Sequence, residues 1–203
     1  GNRELYYTVQ GSRELPPLLL IHGNTAASSM FSALAPRLLE GHRLILVDML
    51  GHGKSSRFES APRHLWESNA RILVDLLVDL RISRLDILGV SGGAIVALNM
   101  ALVAPERVRR IAADSFFGRG ITPGEAASLA AGREQAMGAP EVAEFWESMH
   151  GPDWREVITM DSVAILEAAR RRLPLYVSDP RRIVAPVLIS GSAEDELIAN
   201  APE

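Results

Sequence analysis

The sequence predicts an α/β protein built on a mostly parallel, doubly wound sheet, and three observations carry that prediction. Five short apolar runs recur along 203 residues, longer amphipathic stretches separate them, and a block of helical segments interrupts the rhythm late in the chain. Apolar runs without polar alternation are strands covered on both faces, as in parallel sheets. Strand–helix repetition then places helices on both faces.

Taken in order, Glu4 to Val9 reads as a short strand rich in Tyr and Val. Gln10 to Pro16 suits a hairpin-like turn into the first buried strand, Pro17-Leu18-Leu19-Leu20-Ile21. Ser29 to Leu39 is expected to be a helix, and Leu44-Ile45-Leu46-Val47 the next buried strand. Leu65 to Leu80 is the clearest helix, with Ile72, Leu73, Leu76, Leu77 and Leu80 on one face and Arg71, Asp75 and Asp79 on the other. Leu85 to Val90 is a strand, and Ala94 to Val103 a nearly all-apolar and therefore buried helix. Val108 to Ala113 and Pro186 to Ile189 complete the buried strands. Between the last two, helical segments at about 123–137, 140–150 and 154–172 follow one another, broken by Gly138 and by Gly151-Pro152. Three helices in succession cannot lie flat on the sheet. The insert, about 118–180, is expected to cap the C-terminal edge of the strands, where ligands bind in such sheets. With no repeats or linker, residues 1–203 read as a single domain carrying that cap.

Composition narrows the function. The absence of cysteine excludes a disulfide framework, a thiol nucleophile and cysteine-based metal sites. A formal charge of −4 with both signs interspersed provides no basic field for nucleic acid. The apolar runs are too short for a membrane span and Gly1 to Gln10 has no signal-peptide core, so a cytoplasmic protein acting on a small molecule, without metal or cofactor, is expected. Oligomeric state is not legible. Arg107 to Arg110 and Arg170 to Arg172 read as solvated faces and helix-end charges.

Gly89-Val90-Ser91-Gly92-Gly93 lies between a buried strand and a buried helix, the context in which G-x-S-x-G has a mechanism. Glycines at ±2 allow a sharp strand-to-helix turn, and the helix N-terminus favours negative charge beside Ser91. The plainer reading is a Gly-rich turn whose serine caps the helix. His22-Gly23-Asn24-Thr25 follows the strand before, and Asp48-Met49-Leu50-Gly51-His52-Gly53-Lys54-Ser55 the next. With these three motifs in this order the chain resembles the α/β-hydrolase superfamily over most of its length. The resemblance implies a serine esterase- or lipase-like hydrolase with a helical cap, acting on an ester or related acyl bond of a small apolar substrate. It makes Ser91 the nucleophile, with the amides of Gly92 and Asn24 as the oxyanion hole, which is what acyl transfer requires. His22 and His52 are expected to fix loops, and Asp48 to hold the Gly51-His52-Gly53 turn. Asn24 could instead form an Asx-turn. His-Gly-Asn with Ser28-Ser29 is also similar to haloalkane dehalogenases, but their chemistry needs a carboxylate nucleophile, and position 91 is serine.

The acid is expected after the last buried strand, in Gly191-Ser192-Ala193-Glu194-Asp195-Glu196. Asp195 is preferred, Glu194 is next, and Asp114 at the end of the preceding strand is a further alternative. The family's order places the base, a histidine, after the acid. The five histidines, at 22, 42, 52, 64 and 150, all precede Asp195, and His150 reads as a last-turn helix residue. The expectation is a chain truncated at both ends of its fold, lacking the first strand and the C-terminal strand and helix, and therefore the base. Phe116, Phe117, Met137, Phe145, Trp146, Met149, Trp154 and Met160 are expected to be mostly cap core, with two or three facing the pocket. A ligand-binding or sensor protein, an acyltransferase and a C–C hydrolase remain alternatives on the same site.

Overall fold

The computed structural model describes residues 4–116, 118 and 120–192. Six strands form one sheet: β1 (Tyr7–Gln10), β2 (Pro17–Ile21), β3 (Arg43–Val47), β4 (Leu85–Val90), β5 (Val108–Asp114) and β6 (Val187–Ser190). Their order is β1-β3-β2-β4-β5-β6. All neighbours run parallel except β1, which pairs antiparallel with β3 from Tyr7↔Val47 to Gln10↔Leu44. The hairpin expected between β1 and β2 does not form. β1 instead lies on the far side of β3, so the 10–16 segment is a crossover beneath the strand ends rather than a tight turn.

Alternate residues of the central strands enter two cores, as the pleat requires. Leu19, Ile21, Ile45, Val47 and Ile87 pack with α2 (Leu65–Asp79) and α3 (Gly92–Val103) on one face. Leu18, Leu20, Leu44 and Leu46 meet Phe31 and Ala35 on the other. There the expected helix over 29–39 is divided into a 3-10 turn, Ser28–Phe31, and a short α1 (Ala35–Leu39). Pro36, with no N–H and with a ring that clashes one turn back, stands in the first turn of α1 and stops the helix running through. The last strand also departs from expectation. Leu188 and Ile189 of β6 are about two-thirds exposed, at 66% and 67%, because β6 is the sheet's edge among the described residues.

Between β5 and β6 lie α4 (Pro123–Ala136), α5 (Pro140–His150) and α6 (Trp154–Arg170). A capping box at Thr122 and Glu125 starts α4, and prolines stand in the first turns of α4 and α5, where a missing N–H costs nothing. Met137, Trp146, Trp154 and Ile158 form a small core of the insert itself, with the two indoles 5.7 Å apart, whereas Phe145 faces solvent. Phe117 lies outside the described residues. The arginine stretches are partly paired: Arg109 and Arg110 both clamp Asp86, at 2.6 and 2.8 Å, and Arg170 and Arg171 reach Glu167.

Candidate active site

The parallel strands deliver their C-terminal loops to one edge of the sheet, and of the predicted site residues Asn24, Ser91, Gly92 and Asp114 lie there. Ser91 follows β4 with φ 53° and ψ −120°, a backbone that costs a non-glycine residue of order 1–3 kcal/mol. Its N–H donates to Asp114 O at 2.8 Å and its carbonyl accepts from Ala94 N at 2.9 Å, which clamps the turn between β5 and α3. The flanking glycines are there because the chain passes too close for a side chain. A Cβ on Gly89 would overlap the Gly93 carbonyl, and one on Gly93 would overlap the Ile21 and His22 carbonyls. Ser91 occupies the N-cap position of α3, yet its side chain makes no capping bond. Among the described residues its hydroxyl has no hydrogen-bond partner, so the plainer reading of a helix-capping serine does not hold.

The His22-Gly23-Asn24-Thr25 loop crosses directly over this turn. A Cβ on Gly23 would lie 3.2 Å from Ser91 Cβ, and one on Gly92 would overlap Asn24 Oδ1. Asn24 does not form an Asx-turn. Its Oδ1 accepts from Trp66 Nε1 at 3.2 Å and its Nδ2 donates to Asp161 Oδ2 at 2.5 Å. Because the indole can only donate and the carboxylate only accept, the amide's orientation is unambiguous. Gly92 and Gly93 open α3, where the first backbone N–H groups have no partner within the helix.

The histidines are committed elsewhere. His22 donates from Nδ1 to Gly23 O at 2.8 Å and accepts Met49 N at Nε2 at 2.9 Å. Its burial and the neighbouring His52 push its pKa down to about 3. His150 accepts Gly53 N at Nδ1 and donates from Nε2 to Thr25 O, at 2.9 and 3.1 Å, and burial lowers its pKa to about 4. Its role is therefore larger than a helix-end charge, since it joins the insert to two loops. His52 lies between them, with ring centroids 5.4 and 5.9 Å away, and its Nε2 meets Asp161 Oδ2 at 3.1 Å. His42 and His64 contact Leu38 O and Glu67. Asp48 accepts Ser28 N and Lys54 N at 2.7 and 2.8 Å, bracing the 51–53 turn from beneath.

Of the three acids, Asp195 and Glu194 lie outside the described residues. Asp114 stands beside the Ser91 turn, its Oδ1 accepting Ser190 Oγ at 2.6 Å and its Oδ2 accepting Ser115 Oγ at 3.0 Å. The residue that sequence reasoning missed is Asp161 of α6, whose side chain is wholly buried. Burial alone would raise its pKa, but the His52 hydrogen bond, the Arg133 charge and the Asn24 amide reverse that and hold the carboxyl well below the usual range. A signal was present: Asp161 interrupts the apolar stripe of Val157, Ile158, Ala164 and Ile165 on α6.

An uncommitted serine on a strained turn, at a helix N-terminus and under a loop packed against the next amide, can attack an acyl carbon and hold the resulting charge. Residues 16–146 match the family model described as alpha/beta hydrolase fold. The chain belongs to the alpha/beta hydrolase fold family. Among its relatives is the 2-hydroxymuconate semialdehyde hydrolase of Pseudomonas sp. (strain CF600), 38% identical over 100 residues, which are 47% of this chain and 34% of that protein. A putative carbamate hydrolase RutD of Azorhizobium caulinodans is 28% identical over 82% of this chain and 61% of its own length. A haloalkane dehalogenase of Psychrobacter cryohalolentis is 24% identical over 97% and 63%. The chain thus spans between about a third and two thirds of the length of these curated relatives. The alpha/beta hydrolase fold is equally plain in the solved structure of a hydrolase from Pseudomonas aeruginosa, with a TM-score of 0.75 at 23% identity over 98% of this chain and 83% of that one. No described helix is long and apolar enough to cross a membrane.

Proposed function

We propose that this chain carries the nucleophile and oxyanion hole of a serine hydrolase that cleaves an ester or related acyl bond of a small apolar substrate. One observation supports the reading: Ser91 is held at a φ of 53° while, among the described residues, its hydroxyl has no hydrogen-bond partner. In this reading Ser91 Oγ attacks the acyl carbon and the Gly92 and Asn24 amides hold the oxygen that becomes negative, worth roughly 3–4 kcal/mol per donor. The C–O bond breaks, the alcohol leaves with a proton, and water then releases the acid from Ser91. Asp195, Glu194 or Asp114 would orient a histidine base. All five histidines of these 203 residues precede those two C-terminal acids, and the bonds of the three buried ones support loop-fixing roles. Turnover by this chain alone is therefore expected to be slow, with the residual rate that binding and an oxyanion hole sustain without a base. The α4–α6 insert would serve as the cap over the substrate.

C–C bond hydrolysis is the second reading, favoured by the 38% identity to a 2-hydroxymuconate semialdehyde hydrolase. The test is exposure to an alkyl fluorophosphonate, followed by intact-mass and peptide analysis, alongside turnover of ester, thioester, lactone and β-diketone substrates. Single labelling at Ser91 over a long exposure, slow for want of a base and lost in Ser91→Ala, is expected. Labelling elsewhere, or none, would sink the nucleophile assignment, and cleavage of only the β-diketone would favour the second reading.

A further inference from the structure

The loop over Ser91 is held largely by the helical insert rather than by the sheet alone. Asp161 of α6 reaches Asn24 Nδ2 at 2.5 Å and His52 Nε2 at 3.1 Å with Oδ2, and Arg133 Nη1 of α4 at 2.7 Å with Oδ1. Its side chain is 0% exposed and that of Arg133 11%, so this is a buried carboxylate with every partner supplied by protein. Such a group is expensive to bury and does little for stability that apolar residues could not do. Its partners lie 137, 109 and 28 residues away, on the loop after β2, the loop after β3 and the first helix of the insert. Asn24 Oδ1 lies against Gly92, the residue after Ser91, and among the described residues the Asn24 side chain has two hydrogen-bond partners, Trp66 and Asp161. The next residue, Thr25, has a φ of 60°, so the loop is strained and depends on those anchors to keep its shape.

We propose that Asp161 is a positioning residue: through the Asn24 carboxamide it sets the oxyanion-hole geometry at Ser91, so that catalytic competence depends on the insert being seated. This deepens the serine-hydrolase reading and rests on it. Asp161 touches no reacting atom. It fixes the loop from outside, and when the insert lifts, Asn24 loses its carboxylate partner and the loop its preferred position.

The test separates binding from chemistry. Fluorophosphonate inactivation at Ser91 is measured over reagent concentration for the wild-type chain, Asp161→Asn, Asn24→Ala and the double variant. Loss of loop geometry is expected to lower the limiting labelling rate about 10- to 100-fold while leaving the half-saturating concentration unchanged. The double variant is expected to be no slower than the slower single one, because both changes cut one link. Hydrogen exchange of the 23–26 amides should quicken in both single variants. Removing a buried carboxylate can unfold the chain, so Asn24→Ala provides the same cut with Asp161, His52 and Arg133 still paired. Wild-type limiting rates and unaltered loop exchange in Asn24→Ala and in any folded Asp161→Asn would overturn the positioning role while leaving Ser91 as nucleophile. Additive losses in the double variant would overturn it too. No labelling of wild-type Ser91 would overturn the hydrolase reading itself, and the positioning role with it.

Discussion

At Ser91 the backbone is strained and, among the described residues, the hydroxyl has no partner; the strain persists because the neighbours leave the turn no alternative. The Asp114 carbonyl holds its N–H, and Gly93 lies against the carbonyls that end β2. Gly93→Ala is therefore expected to cost about 2 kcal/mol or more, since the clash is with backbone that cannot rotate away. Urea denaturation measures it, and a loss below about 0.5 kcal/mol would mean the turn is far softer than its contacts indicate. The pentapeptide was legible in the sequence because its glycines mark a steric requirement that any such strand-to-helix turn has. Asn24 was legible only in part. Its position in a His-Gly-Asn loop pointed to the site, but the destination of its side chain depended on Trp66 and Asp161, which no spacing rule connects to it.

Among the elements, the central strands and α3 were readable as unbroken apolar runs, and α2, α4, α5 and α6 as helical segments between turn signals, close to where they lie. β1 was not. A short strand declares that it is extended but not which edge it joins, and β1 passed over its sequence neighbour to pair with β3. The insert meets the sheet's loops through polar latches that hydrophobic patterning does not reveal. Arg57 is the most heavily used of these. It donates to both carboxylate oxygens of Asp153 at 2.7 and 2.9 Å, and to the Gly53, Ser55 and His150 carbonyls at 2.8, 3.0 and 2.7 Å. The ion pair is partly exposed, at 30% and 39%, so the carbonyl bonds carry most of the effect. Arg57→Ala is expected to destabilise by about 1–3 kcal/mol and to quicken amide exchange in α5 and the first turn of α6. Exchange that quickened uniformly across the sheet instead would show that Arg57 supports the whole fold rather than the insert.

For the whole molecule, the buried histidines make stability depend on acid. His22 and His150 are held at about 3 and about 4, both below the unfolded value of 6.5, so the unfolded chain binds more protons than the folded one as pH falls below 6.5. Stability is full above that value and is lost on acidification, down to about 4 for His150 and about 3 for His22, at up to about 1.4 kcal/mol per pH unit for each histidine. The depressed Asp161 carboxyl has the same sense but acts lower, its contribution being lost only below the ordinary aspartate range. The melting temperature should fall steadily between pH 6.5 and 4.5, and His150→Asn should roughly halve that slope. An unchanged slope would place the acid sensitivity elsewhere. What the sequence determined by itself was the α/β class, the central strands and the Ser91 motif, because burial patterns and steric demands on glycine are local and written residue by residue. Tertiary structure decided the partner of β1, the commitment of the buried histidines to loops, and the joining of Asp161 to Asn24 over 137 residues. Those are pairings, and a hydrogen bond between distant segments leaves its mark in the sequence only as a polar residue on a stripe that should be apolar.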